Sequence, residues 1–268
     1  DGSYTVPHVN LGNIGNLPLD PDNQDPVTLN GEGSDRLYNI EVLRFADQEI
    51  TLTPAQGQNT PAAISVIQGT AADDDIQGNP GPDVIFADIG NDTITGAGGD
   101  DTVFAEGGDD TIVWNVGDGN DVVNGGLGGV DTFVVNGDAL DEVFRVYSAA
   151  AWNGTPPSPG TEIVITRDIG IGETVIAQLA NIQEIQINTG AGNDDVQIIG
   201  DFNPTTLNFN TITVAGEDGG DNVDISLLES AHRIVFRAQG EDTVIGTVRA
   251  QDVIVLPAGS DIDAFVRT

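Results

Sequence analysis

Aspartate returns in this chain at a nearly regular interval, behind glycine-rich turns. Written in nines from Gly69, the sequence reads GTAADDDIQ, GNPGPDVIF, ADIGNDTIT, GAGGDDTVF and AEGGDDTIV. After Trp114 and Asn115 it resumes as VGDGNDVVN and then GGLGGVDTFV, which carries one extra residue. The sixth position holds Asp74, Asp83, Asp92, Asp101 and Asp110, then Asp121 and Asp131 after the slips. The fourth position is Gly81, Gly90, Gly99, Gly108, Gly119 and Gly128, with Ala72 the exception. A hard anionic oxygen closing a turn whose glycines let carbonyls point inward is a way to hold a cation, not to move a proton or attack a carbon.

The eighth position explains how such turns are placed. It is Ile76, Ile85, Ile94, Val103, Ile112, Val123 and Phe133, an unbroken apolar series. The triplet around each has period two, so it reads as a very short strand with one side chain inward. Nine residues then make half a coil and eighteen a full one. Turns one coil apart stack, which sets Asp74, Asp92, Asp110 and Asp131 on one edge and Asp83, Asp101 and Asp121 on the other. The gaps between stacked turns are walled by carboxylates and carbonyls, an all-oxygen cage that suits calcium better than magnesium. Stacking predicts about five such gaps, one ion each.

Composition agrees. The formal net charge is -35, from 43 acidic and 8 basic residues, and all the bases are Arg. Phe45 to Phe144 contains no base at all. A phosphate backbone or an anionic membrane surface would be repelled, so nucleic-acid and lipid-surface binding are excluded. No apolar run is long enough to span a bilayer. Without Cys, neither disulfides nor thiolate sites contribute. The chain opens on Asp1 with no Met anywhere, which suggests a mature product or a fragment.

The second half repeats the signature at longer spacing. TGAGNDDVQ (189–197), GEDGGDNVD (216–224) and RAQGEDTVI (237–245) place Asp194, Asp221 and Asp242 at the sixth position. Alternating apolar stretches lie around them, at 162–166, 182–187, 207–214 and 233–237. These predict longer coils with one Gly-Asp edge and one or two further calcium ions; a separate β-sandwich is the alternative. Residues 136–160, with Asn153-Gly154 and four residues of Pro and Ser before Gly160, read as a surface excursion between the arrays.

The run Gly69 to Val134 resembles the RTX, or haemolysin-type, calcium-binding repeat, G-G-x-G-x-D-x-U-x. Ala87, Ala105, Asp88 and Glu106 depart from its two leading glycines. The resemblance implies an all-β fold: a right-handed parallel β-roll, here continuing into a wider parallel β-helix. It also implies folding on calcium after export, so an extracellular or cell-surface location reached by type I secretion. The segments expected are an extended N-terminal stretch with one strand motif (1–60), the roll (61–135), the β-helical extension (136–250) and a terminal strand and tail (251–268).

Two weaker resemblances bear on the parent protein. Asn39-Ile-Glu-Val-Leu-Arg-Phe-Ala-Asp47 is similar to a strand found beside RTX arrays. Residues 231–236, 242–246 and 252–257 are similar to the tail of large bacterial haem peroxidases that carry RTX repeats. That implies an upstream catalytic domain as partner; a module of an adhesin or surface-layer protein, with a cell-surface partner, is the alternative. A polysaccharide lyase or epimerase is a lesser one, because β-helices host such enzymes. No residue of this chain is assigned a catalytic role: the carboxylates sit in the turns, and His232 is in phase with Ile234 and Phe236 on a strand, which predicts packing.

Overall fold

The computed structural model describes residues 64–258, except 156, 209–211 and 240, together with the backbone of short strands outside that span. Those outer strands are β1 (Tyr4–Thr5), β2 (Arg36–Leu37), β3 (Ile50–Leu52) and, at the far end, β24 (Val266–Arg267). The 39–47 motif lies outside the described residues.

The nine-residue period becomes strand, turn, strand. The first array holds β4 (Ile64–Gln68), β5 (Asp75–Gln77), β6 (Asp83–Phe86), β7 (Thr93–Thr95), β8 (Thr102–Phe104), β9 (Thr111–Asn115), β10 (Asp121–Asn124) and β11 (Thr132–Asn136). The second holds β12 (Val143–Ser148), β13 (Ile163–Asp168), β14 (Thr174–Ala180), β15 (Glu184–Asn188), β16 (Ala191–Gly192), β17 (Asp195–Ile199), β18 (Ile212–Ala215), β19 (Asp218–Gly219), β20 (Asn222–Asp224), β21 (Ile234–Arg237), β22 (Thr243–Ile245) and β23 (Val253–Val255). No helix occurs among the described residues.

Alternate strands go to opposite sheets. One runs β24-β22-β20-β17-β12-β13-β14-β10-β8-β6-β4-β3, the other β23-β21-β18-β15-β11-β9-β7-β5. The coil-to-coil pairings are parallel and in register, with Ile76 opposite Ile94, Ile94 opposite Ile112, Ile112 opposite Phe133 and Phe133 opposite Ile185. Ile85, Val103, Val123 and Leu179 form the facing column. These side chains fill the space between the sheets and are almost fully buried. Parallel pairing requires crossovers, and the Gly-rich turns supply them without a helix. The fold is a parallel β-roll whose two sheets run without interruption into the second array, so the β-sandwich alternative does not hold.

The stretch expected to be a surface excursion instead contains a core strand. In β12, Phe144 and Val146 are fully buried, and β12 pairs parallel with β17. The chain turns back through β13, antiparallel to both β12 and β14, before β14 stacks on β10. Residues 149–162 alone behave as the expected excursion, a connection between β12 and β13. The apolar alternation of 143–148 had been masked by the Pro-Ser run beyond it. One sheet thereby gains two strands that the other lacks: β14, β13 and β12 separate β10 from β17, whereas only β15 separates β11 from β18. At about 4.8 Å per strand, this is roughly 10 Å of extra sheet on one side.

Candidate metal centre

Each sixth-position aspartate lies where its turn meets the strand, at the first strand residue or the one before it, two residues ahead of the inward apolar residue. The carboxylates of Asp92, Asp101, Asp110, Asp121 and Asp131 reach along the roll to the neighbouring coil, while those of Asp74 and Asp83 accept within their own turns. The backbone N–H of Asp74 donates to Asp92 Oδ1 (2.8 Å), Asp92 to Asp110 Oδ1 (2.8 Å) and Asp110 to Asp131 Oδ1 (3.1 Å). Across the roll, Asp83 donates to Asp101 Oδ1 (2.8 Å) and Asp101 to Asp121 Oδ1 (3.0 Å). The two columns are those the spacing predicts. A neighbouring outer column runs the opposite way, with Asn91 N–H donating to Asp73 Oδ1 and Asp109 N–H to Asn91 Oδ1, both at 2.8 Å.

The second oxygen of each carboxylate is the informative one. Oδ2 of Asp92, Asp101, Asp110 and Asp131 is buried and has no hydrogen-bond partner. An unpartnered buried carboxylate oxygen is costly, so a row of them calls for a counter-charge. Glycines of the turns lie directly against two of them. A Cβ on Gly96 would lie 2.3 Å from Asp101 Oδ2, and one on Gly125 would lie 2.6 Å from Asp131 Oδ2 and 2.3 Å from the Asn181 carbonyl oxygen. Among the described residues no three Asp, Glu or His side chains converge on a point. Carboxylates and backbone carbonyls are the donors that the stacked turns carry, and oxygen donors are the kind that suits calcium.

The electrostatics agree. Burial pushes the Asp101 carboxyl up to about 7, helped by the charges of Asp83, Asp118 and Asp100 and opposed by the Asp83 N–H. Burial likewise takes Asp121 to about 8 and Asp131 to about 7, and raises Asp92 and Asp110. A carboxylate desolvated among other carboxylates prefers to be protonated unless a cation joins it.

The turn glycines make the stacking possible. Gly81, Gly90, Gly99, Gly108 and Gly119 all have positive φ. At Gly108 a Cβ would fall 1.6 Å from the Gly90 carbonyl oxygen, and at Gly119 it would fall 2.0 Å from that of Gly99. At Gly81, the first of its column, nothing lies within 4 Å. Gly108→Val should therefore destabilise the calcium-loaded roll by about 2–4 kcal/mol and Gly81→Val by clearly less, since only the first forces coils apart. Thermal melts of the two variants in calcium measure the difference; equal losses would mean that turn conformation alone matters. Where the leading glycines are replaced, Asp88 and Glu106 take positive φ (76° and 73°), so the turn shape survives.

A family model for the RTX calcium-binding nonapeptide repeat, in four copies, matches residues 68–103 and, one repeat further on, 77–112. Residues 68–112 carry RTX repeats. No curated protein matches the chain. The RTX repeat is a structural calcium-binding module rather than a catalytic one.

The second array reuses the geometry without the nonapeptide density. Asp194 N–H donates to Asp221 Oδ1 and Asp221 N–H to Asp242 Oδ1, both at 2.9 Å. Sequence reasoning missed the residue below them: Glu142 occupies the aspartate register, its N–H donating to Asp194 Oδ1 at 2.7 Å. A Glu outside any nonapeptide gives no periodic signal. It also missed Gln183, whose Oε1 accepts from Asp131 N–H (2.8 Å) and ends that column with a neutral amide. Asp118 was missed as well. It is buried in the turn that holds the two-residue slip, and its charge raises Asp101 and Asp121. His232 packs as expected: it is buried, with Nδ1 2.9 Å from Ser230 Oγ, Nε2 3.0 Å from the Leu207 carbonyl oxygen and its ring edge-on to Phe202.

Proposed function

We propose that this chain is a calcium-loaded β-roll module of a secreted protein, ordered by the ion outside the cell. The row of buried Oδ2 atoms that have no hydrogen-bond partner among the described residues carries the reading. The ions are assigned to gaps bounded by Asp74/Asp92, Asp92/Asp110 and Asp110/Asp131 on one edge and by Asp83/Asp101 and Asp101/Asp121 on the other. Carbonyls of the turns containing Gly81, Gly90, Gly99, Gly108 and Gly119 complete each donor set. The calcium supplies charge neutralisation and a cross-link between coils. The protein supplies spacing, through the apolar column, and dehydration, through burial of the carboxylates.

Export follows from the same chemistry. Extracellular calcium modules bind at about 10⁻⁴–10⁻³ M, far above cytosolic free calcium. A segment this acidic stays unfolded and threadable inside the cell and gains order on emerging. The similarity of 231–257 to peroxidase tails supports a non-catalytic, C-terminal place beside a haem peroxidase domain. Ion counting by equilibrium dialysis, followed by a calcium-soaked crystal structure, tests the assignment: about five ions should occupy the first array. Absence of density in the gaps between Asp74, Asp92 and Asp110 and between Asp83, Asp101 and Asp121 would overturn it.

A further inference from the structure

The two arrays differ in how their carboxylates are balanced. In the first, Asp92, Asp101, Asp110 and Asp131 each leave Oδ2 unpartnered; in the second, Asp194 alone does among the described residues. Asp221 Oδ2 accepts the Thr189 hydroxyl (3.1 Å), and Asp242 Oδ2 accepts the Gln239 N–H (2.5 Å). Both ends of the second array carry a guanidinium. Arg167, on the inserted antiparallel strand β13, points inward beneath Glu142. Its Nε donates to Glu142 Oε1, and its Nη2 donates to Asp138 Oδ2 at 3.1 Å. The Asp138 N–H completes Glu142 through Oε2 (2.9 Å). The Arg167 side chain is 13% exposed and that of Glu142 0%.

At the opposite end Arg249 joins two coils. It donates through Nε and Nη2 to the Asp252 carboxylate (3.0 and 2.8 Å), through Nη1 to the Ser230 carbonyl (2.7 Å) and through Nη2 to that of His232. A cation that bridges carbonyls of one coil and a carboxylate of the next does what a metal ion does between coils of the first array. Arginine suits the task because it is always charged and presents a fixed fork of donors.

We infer that Arg167 and Arg249 are built-in cations that take the place of calcium at the two ends of the second array. Residues 136–258 therefore hold their fold without the metal, and one calcium position remains there, at Asp194. The inserted hairpin is the boundary, since it delivers Arg167 to the register where the first array would present another calcium gap. The second array then stands as a preformed end on which β10 and β11 find β14 and β15 to pair with. This division of labour rests on the calcium reading of the first array but is tested apart from it.

Hydrogen exchange followed by mass spectrometry on the full chain, first in chelator and then in millimolar calcium, reads both arrays at once. In chelator, amides of β15, β17, β18 and β20 are expected to remain protected while those of β5 to β9 exchange freely; calcium then protects the latter. Free exchange of both arrays in chelator overturns the inference, whereas failure of calcium to protect β5 to β9 strikes only the calcium reading. Arg167→Gln should lower the chelator protection of β12 and β17 about tenfold or more, because Glu142 is left buried and unpaired. Should that variant not fold at all, Glu142→Gln with Arg167→Gln removes both charges and should regain the protection. Undiminished protection in Arg167→Gln, or none in the double variant, would show that the guanidinium is not the cation that matters.

Discussion

Replacing Asp92 and Asp101 together by Asn should move the protein in opposite directions with and without calcium. Each of these aspartates bounds two gaps, so the pair reaches four of the five proposed ion positions. The amide oxygen of Asn can still accept the N–H of Asp74 or Asp83, so the coil-to-coil hydrogen bond is kept. What is lost is the charge. Without metal that loss is a relief, since burial and like charge hold both carboxyls above their ordinary range. With metal it removes a hard anionic ligand from each of four sites. Circular dichroism should show the variant at least as ordered as the parent in chelator, yet needing about tenfold more calcium to complete the roll. The pair changed to Ala, which also lacks the acceptor, should be worse in both conditions. An Asn variant that folds at the parent's calcium concentration would mean that the aspartates are only a solvated edge.

The metal-free protein should gain order as the solution is acidified from pH 8 to pH 5. The folded-state carboxyls of Asp101, Asp131 and Asp194 stand at about 7 and that of Asp121 at about 8, against 3.8 for an unperturbed Asp. Between these limits the folded chain binds more protons than the unfolded chain, so stability falls as pH rises. The penalty is absent below about pH 4 and complete above about pH 8. Holding one carboxyl at about 7 rather than 3.8 corresponds to about 4 kcal/mol against the ionised form, and the several groups share much of that cost. Reduced self-repulsion acts in the same direction. Calcium should flatten the dependence, because an ion does what the proton does. Dichroism of dialysed, metal-free protein across this range, with and without calcium, measures it. A metal-free fold that weakens on acidification would contradict the burial of these groups.

Much of the first array was legible because its code is local. Period nine fixes turn, aspartate and inward residue within one glance of the chain, so both aspartate columns and the buried series Ile76 to Phe133 follow from spacing. The second array was legible only in part. Asp194, Asp221 and Asp242 announce themselves by their glycines, whereas Glu142 and Gln183 share the register without the turn chemistry. The β12–β13–β14 hairpin was illegible for a physical reason. Whether an alternating strand pairs parallel with a coil or antiparallel with its neighbour is decided by long-range packing, and Val143 to Ser148 looks the same either way. Arg167 illustrates the cost of missing that. Its partner lies 25 residues away across an antiparallel pair, a separation no repeat period indicates.

That hairpin also divides the roll as a domain wall divides a one-dimensional magnet. Each coil of the first array touches only its neighbours, through a shared carboxylate and a shared strand pairing, so order spreads from coil to coil and an ion bound in one gap favours the next. Such a chain switches more sharply the longer it is, and its length is bounded. On one edge the column stops at Gln183, and on the other Asp121 pairs in register with Ala177 of β14. Both stops fall at the same level, where the hairpin enters. The steepness of the response to calcium is thus written into the number of coils before Val143, and the strands beyond it act as a fixed boundary against which that response runs.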